Sequence, residues 1–204
     1  MSKQSNNKYK KGDSFSKKAK NLGYRSRAAL KLLEIQKKDN FLGKGIKVLD
    51  LGSSPGGWCQ VSKKIIGEKG RVIGIDIKGM EKICGVYFLK KDIGLVKTSD
   101  FILDENILPF DVVLSDMAPN ISGIAYTDSA LMIVLLEKFI KIIEKYLKIQ
   151  GRVLVKAFQG ESLEFITNYM KSHFETVRIR KPSSSRSSSS EYYLLGKGFK
   201  RKKK

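Results

Sequence analysis

The chain has 204 residues, 41% of them hydrophobic, and carries a formal net charge of +20. This length suits one domain with a complete core, and no apolar run approaches the ~20 residues of a membrane span. Residues 1–20 and 197–204 each carry +6, which leaves +8 for the body between them. A basic body as well as basic tails indicates a polyanionic partner, most simply a nucleic acid. An anionic membrane fits less well, because neither tail has an amphipathic pattern.

The two ends of the chain are polar. Residues 1–14 are expected to form a disordered basic tail, and residues 200–204 a second basic tail. The amino terminus has no apolar signal region, so we expect a cytoplasmic protein.

Cys59 and Cys84 lack a metal-binding spacing and are predicted to be buried free thiols rather than a disulfide. The single histidine, His173, cannot build a histidine metal site alone, and no metal is expected.

Residues 15–38 are predicted to form one helix. Its apolar side is formed by Leu22, Ala28, Ala29, Leu32, Leu33 and Ile35. Arg25, Arg27 and Lys31 lie among these residues, and Arg27 and Lys31 share a face at i, i+4. A solvated basic face and an RNA-facing ridge both explain this pattern.

Strands and helices then alternate along the chain. Near-continuous apolar runs predict parallel strands covered on both faces. Strands are predicted at 46–51, 71–76, 86–89, 110–115, 152–156, 175–180 and 191–195, and helices at 59–67, 129–148 and 161–172. The buried side of the long helix is predicted from its periodicity as Leu131, Val134, Leu135, Phe139, Ile142, Ile143 and Tyr146. This order, with two strands paired at the end, predicts a three-layer α/β domain over 15–199. The serine-rich stretch 183–190 is predicted to be a loop inside that domain, because a strand follows it at once.

A glycine-rich turn follows the first strand. In the sequence Val-Leu-Asp-Leu-Gly-Ser-Ser-Pro-Gly-Gly-Trp of residues 48–58, an apolar run ends in an acid and a tight turn opens a helix. Such a turn brings backbone N–H groups and a helix N-terminus close to a ligand. Asp76 ends the next strand, at a distance suited to ribose hydroxyls. The pattern predicts a nucleoside-type cofactor. The chain lacks the G-x-G-x-x-G motif at this turn, which disfavours a nicotinamide-dependent oxidoreductase. It also lacks G-K-[ST] there, which disfavours a P-loop.

Two further groups lie at strand ends on the same edge. Asp116 follows the fourth strand, and Lys156 ends the fifth strand in an otherwise apolar run. Active groups of open α/β sheets lie at this edge. A lysine there is either a strand-end charge reaching water or a functional amine that accepts a proton from a hydroxyl.

These segments resemble the FtsJ-type ribosomal RNA 2′-O-ribose methyltransferases over about residues 14–199. The matching segments are 23–32, 51–58, 115–123, 155–160 and the Ser-Arg-Ser loop before Glu191. The catalytic K-D-K-E set of the family falls on Lys31, Asp116, Lys156 and Glu191. Its S-adenosylmethionine contacts fall on Gly56, Trp58, Asp76, Asp92 and Asp116. From the basic pattern of this chain itself, RNA contacts are expected at Arg25, Arg27, Lys31 and Arg186.

The resemblance implies a class I S-adenosylmethionine-dependent methyltransferase fold of the Rossmann-like type. Its seven-stranded sheet is mostly parallel, with the last strand antiparallel. The implied reaction is methyl transfer to a ribose 2′-hydroxyl of RNA, with Lys156 as proton acceptor and with no metal. The turn reads Gly-Ser-Ser-Pro where Gly-Ala-Ala-Pro is usual, and the loop before Glu191 is unusually rich in serine.

The single-domain length and the Gly-Gly-Trp turn favour the ribosomal branch of the family. Its target is a uridine in the A loop of large-subunit ribosomal RNA, and its members aid ribosome assembly. We therefore expect a monomeric enzyme of ribosome biogenesis that acts on ribosomal RNA within the large subunit. Two alternatives are methylation of a tRNA anticodon loop and a non-catalytic RNA-binding assembly factor; the intact four-residue set argues against the second.

Overall fold

A computed structural model of the chain describes residues 14–101, 107–185 and 190–201. The helices are α1 (described over 14–21), α2 (Ala28–Asp39), α3 (Gly57–Ile66), α4 (Ala125–Tyr146) and α5 (Glu161–His173). The strands are β1 (Lys47–Leu51), β2 (Arg71–Asp76), β3 (Val86–Lys90), β4 (Phe110–Ser115), β5 (Leu147–Phe158), β6 (Phe174–Arg180) and β7 (Glu191–Phe199). Two short 3-10 helices, Ile93–Leu95 and Thr98–Phe101, follow β3.

The strands form one seven-stranded sheet in the order β3-β2-β1-β4-β5-β7-β6. Strands β1 to β5 are parallel, and β7 runs antiparallel between β5 and β6. The predicted mostly parallel sheet with an antiparallel last strand is confirmed. The order reverses at β1 and β4, so the ends of these two strands open a crevice where ligands of such sheets bind.

Helices cover both faces of the sheet, so the molecule has three layers. One apolar cluster packs α4 and α5 against one face through Phe139, Ile143 and Ile166. The other packs α2 and α3 against the opposite face through Leu32, Trp58 and Val61. Burying strands on both sides explains their near-continuous apolar character.

The predicted single helix over 15–38 is wrong, because two helices occupy this region. Gly23 adopts a left-handed φ of +77°, which glycine tolerates without steric cost. The N–H groups of Gly23 and Tyr24 donate to the carbonyls of Lys20 and Ala19, which closes α1 in a Schellman arrangement. The chain turns here and restarts as α2 at Ala28.

Two details of the packing also differ from the prediction. On α4, Leu131 and Val134 are exposed, and Met132 and Leu136 fill the core instead. Cys59 is a buried free thiol as predicted, but the free thiol of Cys84 is exposed in the β2–β3 loop.

Residue 14 belongs to α1 rather than to a tail, and residues 1–13 and 202–204 lie outside the described part. The described part of the serine-rich loop packs against α2. Pro182 and Ser184 are buried. Glu34 accepts hydrogen bonds from the main-chain N–H of Ser183 at 2.9 Å and from its hydroxyl at 2.9 Å. Among the described residues, no helix is both long enough and apolar enough to cross a membrane.

Candidate active site and cofactor cavity

The glycine-rich turn brings the ends of β1 and β4 into close contact. Gly52 has a φ of +73°. A Cβ at this position would lie 2.5 Å from Cγ of Met117 and 3.2 Å from its main-chain nitrogen. Position 52 therefore requires glycine for both its conformation and its space.

Four charged groups predicted to act together meet beside this turn. Lys31 Nζ lies 2.6 Å from a carboxylate oxygen of Glu191. Lys156 Nζ lies 3.0 Å from Oδ1 of Asp116 and donates to the main-chain carbonyl of Asp116 at 2.5 Å. The structure thus brings all four together, although Lys31 and Glu191 are 160 positions apart in the chain.

Tyr193 joins the two ion pairs into one network. Its hydroxyl accepts a hydrogen bond from Lys31 Nζ at 3.0 Å and donates one to Oδ1 of Asp116 at 2.8 Å. Burial, reinforced by the charges of Asp116 and Glu191, raises the pKa of Tyr193 well above its usual value. The hydroxyl therefore stays protonated and keeps donating to Asp116. We name Lys31, Asp116, Lys156, Glu191 and Tyr193 the catalytic cluster, after the catalytic role that the sequence predicts for the first four.

Tyr193 was not predicted as a site residue, because a tyrosine in an apolar strand is typical of core packing. The pairing register of β5 and β7 contains the signal that could have revealed Tyr193. Tyr193 pairs with Lys156 across β5 and β7, and directly opposed residues point to the same face of a sheet. Both lysines of the catalytic cluster are almost fully buried, at 4% exposure for Lys31 and 5% for Lys156. Each of the two buried lysines has a carboxylate partner, Glu191 at 2.6 Å from Lys31 and Asp116 at 3.0 Å from Lys156.

Two cavities adjoin the catalytic cluster and share Gly52, Ser54 and Asp116 in their linings. The first, of about 280 Å³, runs between the ends of β2 and β4 and is lined by Asp76, Asp92 and other residues. The second, of about 170 Å³, is lined by Arg27, Lys31 and the residues of the turn. Together they connect the strand-end acids with Lys31 and Asp116.

The two predicted cofactor acids differ in how they are held. Asp76 accepts the N–H of Ser54 at 2.9 Å and that of Lys78 at 2.8 Å. Asp92 accepts the N–H of Gly94 at 2.7 Å and pairs with Lys138 at 3.1 Å. The Gly94 N–H, and next the Lys138 ammonium, lower the pKa of Asp92. Both carboxylates are thereby fixed as hydrogen-bond acceptors at the wall of the first cavity.

Trp58 lines the second cavity, but its ring is largely used for packing. Its indole N–H donates to the carbonyl of Ala28 at 2.8 Å, and its ring centroid lies 5.8 Å from that of Tyr193. Gly56 lies between the cavity-lining residues Pro55 and Gly57. A Cβ on Gly56 would lie 2.6 Å from Cδ1 of Ile83, so this glycine lets the β2–β3 loop approach the turn.

The predicted RNA-binding residues are placed differently from one another. Lys31 belongs to the catalytic cluster, and Arg27 lines the second cavity beside it. Arg25 directs its guanidinium at main-chain carbonyls of the turn and of the β2–β3 loop. Arg186 lies outside the described residues.

Beneath the turn lies Asp50, a fully buried carboxyl for which no role was predicted from the sequence. It accepts a hydrogen bond from the thiol of Cys59 at 3.1 Å. Burial raises the pKa of Asp50 to about 7, with the hydrogen bond from Cys59 opposing the rise and the nearby charges of Asp116 and Asp76 contributing to it. An acid in the middle of β1 is one signal that could have revealed it, since β1 is otherwise buried and apolar from Val48 onward.

Comparison with known proteins places this geometry in context. Residues 24–199 match the family model described as FtsJ-like methyltransferase. The ribosomal RNA large subunit methyltransferase E of Hahella chejuensis is 41% identical over 189 residues, which cover 92% of each chain. The protein of the same name from Pseudomonas fluorescens is 44% identical over 193 residues, covering 92% of this chain and 90% of the relative. A crystal structure of a ribosomal RNA methyltransferase from Plasmodium falciparum superposes with a TM-score of 0.77 at 35% identity, covering 86% of this chain and 98% of that one.

Proposed function

Because the chain belongs to the FtsJ-like methyltransferase family, we propose that it methylates a ribose 2′-hydroxyl of ribosomal RNA with S-adenosylmethionine. The observation that supports this most is the catalytic cluster, in which Lys156 and Asp116 lie at strand ends beside the first cavity. The cluster combines a candidate proton acceptor with groups that can orient a hydroxyl. It adjoins a cavity suited to a nucleoside.

The residues present fit S-adenosylmethionine. Asp76 and Asp92 offer fixed carboxylate acceptors in the first cavity, suited to ribose hydroxyls and to an amino group. The lack of a side chain at Gly52 lets the turn lie directly against Met117, which lines the first cavity, since a Cβ there would lie 2.5 Å from Cγ of Met117. When bound, S-adenosylmethionine supplies a methyl group already activated on a sulfonium.

The remaining task of the protein is to hold the ribose and remove its proton. Among the described residues, the hydrogen-bond acceptors around Lys156 Nζ are the main-chain carbonyl and Oδ1 of Asp116. A neutral amine has two N–H groups and one lone pair. Two donated bonds to Asp116 therefore leave the lone pair of a neutral Lys156 free to accept the 2′-hydroxyl proton. In this mechanism Asp116 orients the acceptor, and general-base catalysis supplies about 10²–10⁴ in rate.

Lys31, Glu191 and Tyr193 complete the arrangement on the side of α2. Glu191 and Tyr193 fix the Lys31 ammonium at 2.6 and 3.0 Å. This charge can hold an oxygen of the incoming ribose while the tyrosine keeps Asp116 in place. Positioning of this kind removes entropy from the reaction step and is a major part of enzymatic rate enhancement.

For the RNA, we propose large-subunit ribosomal RNA, with a uridine of the A loop as the target and ribosome assembly as the process. Two relatives more than 40% identical carry the name ribosomal RNA large subunit methyltransferase E. The net charge of +20 suits any RNA, so charge does not distinguish ribosomal RNA from a tRNA anticodon loop. The intact catalytic cluster argues against a purely non-catalytic assembly factor.

The test is to map 2′-O-methylation in ribosomal RNA and tRNA from cells with and without the protein. We expect one ribosomal ribose to lose its methyl group, and to regain it with the wild-type chain but not with Lys156→Ala. Loss at a tRNA ribose alone would replace the substrate assignment. Unchanged RNA methylation, with a ribosome defect that Lys156→Ala rescues, would support an assembly factor instead.

A further inference from the structure

Arg25 is held by the main chain of two separate loops. One guanidinium nitrogen donates to the carbonyls of Glu81 at 2.7 Å and Pro55 at 3.3 Å, and the other donates to the carbonyl of Lys82 at 3.0 Å. Pro55 belongs to the glycine-rich turn, whereas Glu81 and Lys82 belong to the loop between β2 and β3. The guanidinium thus joins the turn to the loop that follows Asp76.

The backbone of Arg25 is fixed as well. Its N–H donates to the side-chain oxygen of Gln60 on α3 at 2.9 Å, and Gln60 in turn donates to the carbonyl of Gly23 at 3.1 Å. The chain before α2 is therefore anchored to the helix that the glycine-rich turn opens. The side chain of Arg25 is 23% exposed, so most of it is removed from solvent contact.

We propose that Arg25 is a cofactor-positioning residue, rather than an RNA-binding residue as the basic pattern of α1 and α2 first indicated. This inference depends on the proposed S-adenosylmethionine site. The two segments that Arg25 joins both contribute to the first cavity, through Ser54 of the turn and through Asp76, Ile77 and Lys78. Fixing their separation fixes the position of the Asp76 carboxylate relative to the turn.

A second connection between the same segments supports this role. The main-chain N–H of Ser54 donates to Asp76, and its hydroxyl donates to the carbonyl of Gly79 at 3.0 Å. Arg25 extends this connection by three residues in the β2–β3 loop. Gly56 permits the close approach, because a Cβ there would lie 3.3 Å from the guanidinium and 2.6 Å from Ile83.

Arg27 provides the natural contrast, only two positions away. It lines the second cavity together with Lys31 and Asp116 of the catalytic cluster. The two arginines are therefore expected to affect different ligands: Arg25 the cofactor, and Arg27 the RNA. Positive charge alone would assign both arginines to the RNA and would not distinguish these two roles.

The experiment compares Arg25→Lys, Arg25→Gln and Arg27→Gln in the full chain, with Arg152→Gln as a matched control. The Arg152 guanidinium also donates to a main-chain carbonyl, that of Phe41, but from the amino-terminal half of β5. S-adenosylmethionine affinity is measured by calorimetry, RNA affinity at saturating cofactor by filter binding, and stability by urea unfolding. We expect both Arg25 variants to weaken cofactor binding about tenfold or more, the scale of losing charge-assisted hydrogen bonds. Lysine should not rescue it, because a single ammonium cannot reach three carbonyls as a planar fork does.

The kinetic readout separates positioning from general destabilisation. For the Arg25 variants we expect the KM for S-adenosylmethionine to rise, with the KM for RNA and the saturated kcat nearly unchanged. Added guanidinium should partly restore cofactor affinity in an Arg25→Gly variant and should do nothing for Arg152→Gln. Arg27→Gln should show the reverse pattern, with weaker RNA binding and unchanged cofactor affinity.

Weakened RNA binding with normal cofactor affinity in the Arg25 variants would overturn the inference. An equal loss of cofactor affinity in Arg152→Gln would also overturn it, because the effect would then come from stability. A wild-type chain that binds no S-adenosylmethionine would instead overturn the proposed function on which the inference depends. The three failures are therefore distinguishable.

Discussion

Replacing Lys156 with alanine tests the proposed proton transfer most directly. The change removes the amine that lies 3.0 Å from Oδ1 of Asp116 and leaves that carboxylate with the hydroxyl of Tyr193. A lost general base typically lowers the rate by about 10²–10⁴. At 1.36 kcal/mol per tenfold, this is about 3–5 kcal/mol of transition-state stabilisation. The main-chain carbonyl of Asp116 also loses its donor, Lys156 Nζ. This unpaired carbonyl should lower the free energy of unfolding by about 1–3 kcal/mol.

The assay is single-turnover methyl transfer from labelled S-adenosylmethionine to saturating RNA, at a temperature where urea unfolding shows every variant to be folded. Lys148→Ala is the matched control. Lys148 lies on the same strand, β5, but is largely exposed and pairs with Asp111 at 3.3 Å. We expect it to keep the wild-type rate, because exposed ion pairs contribute little.

Lys156→Arg then separates a base from a positioning charge. A guanidinium stays protonated near neutral pH and cannot accept a proton. If Lys156 is the base, the arginine and alanine variants should be similarly slow while both ligands still bind. Substantial activity in Lys156→Arg would show that Lys156 acts through its charge. A near-normal rate in Lys156→Ala would remove the residue from the mechanism and refute the reasoning.

Three further predictions concern stability and binding. The raised pKa of Asp50, about 7, means that the folded state holds a proton that the unfolded chain releases near pH 4. The free energy of unfolding should therefore fall between about pH 4 and 7 by up to ~1.4 kcal/mol per pH unit, and urea unfolding of Asp50→Asn should lack this part of the slope. Gly52→Ala should lose ~1–2 kcal/mol of stability from its φ of +73° alone. In calorimetry this variant should also bind S-adenosylmethionine more weakly. Unchanged binding would contradict a role of position 52 in shaping the cofactor site. The affinity for RNA should fall linearly on a log–log plot against salt, with a slope of about −0.7 to −0.9 per phosphate neutralised, and a flat plot would contradict an electrostatic interface.

Most of the sheet could be predicted from sequence because buried parallel strands leave a strong apolar pattern. The range 110–115 for β4 is the one observed. Strands β5 and β7 are longer than predicted. Glycines at 196 and 198 resemble a strand end, but position 196 packs against Met170 and Phe174. There a Cβ would lie 2.7 Å from Met170 Cε, so the glycine fits the strand for reasons of space. Such a reason depends on tertiary contacts and has no local signal.

The candidate site also combines features that have a local sequence signal with features that depend on tertiary contacts. The acids at strand ends were predictable, because the carboxyl ends of parallel strands meet at one edge. The assignment of Arg25 to RNA followed from charge and helical spacing, and its contacts with carbonyls more than 50 positions away were not accessible to that reasoning. Tyr193 was missed because its neighbours in the sequence are apolar and gave no indication of its hydrogen bonds to Lys31 and Asp116.

Strand β7 is the last strand in chain order, yet it lies between β5 and β6 and carries both Glu191 and Tyr193. A chain emerging from the ribosome at about 5–20 residues per second folds from its amino-terminal side first. Until β7 is made, β5 has an unpaired edge and β6 lacks its partner strand in the sheet. Lys31 then also lacks both of its hydrogen-bond partners in the catalytic cluster. A chain that lacks β7 therefore has no complete catalytic cluster, and the cluster forms only once the last strand has taken its place between β5 and β6.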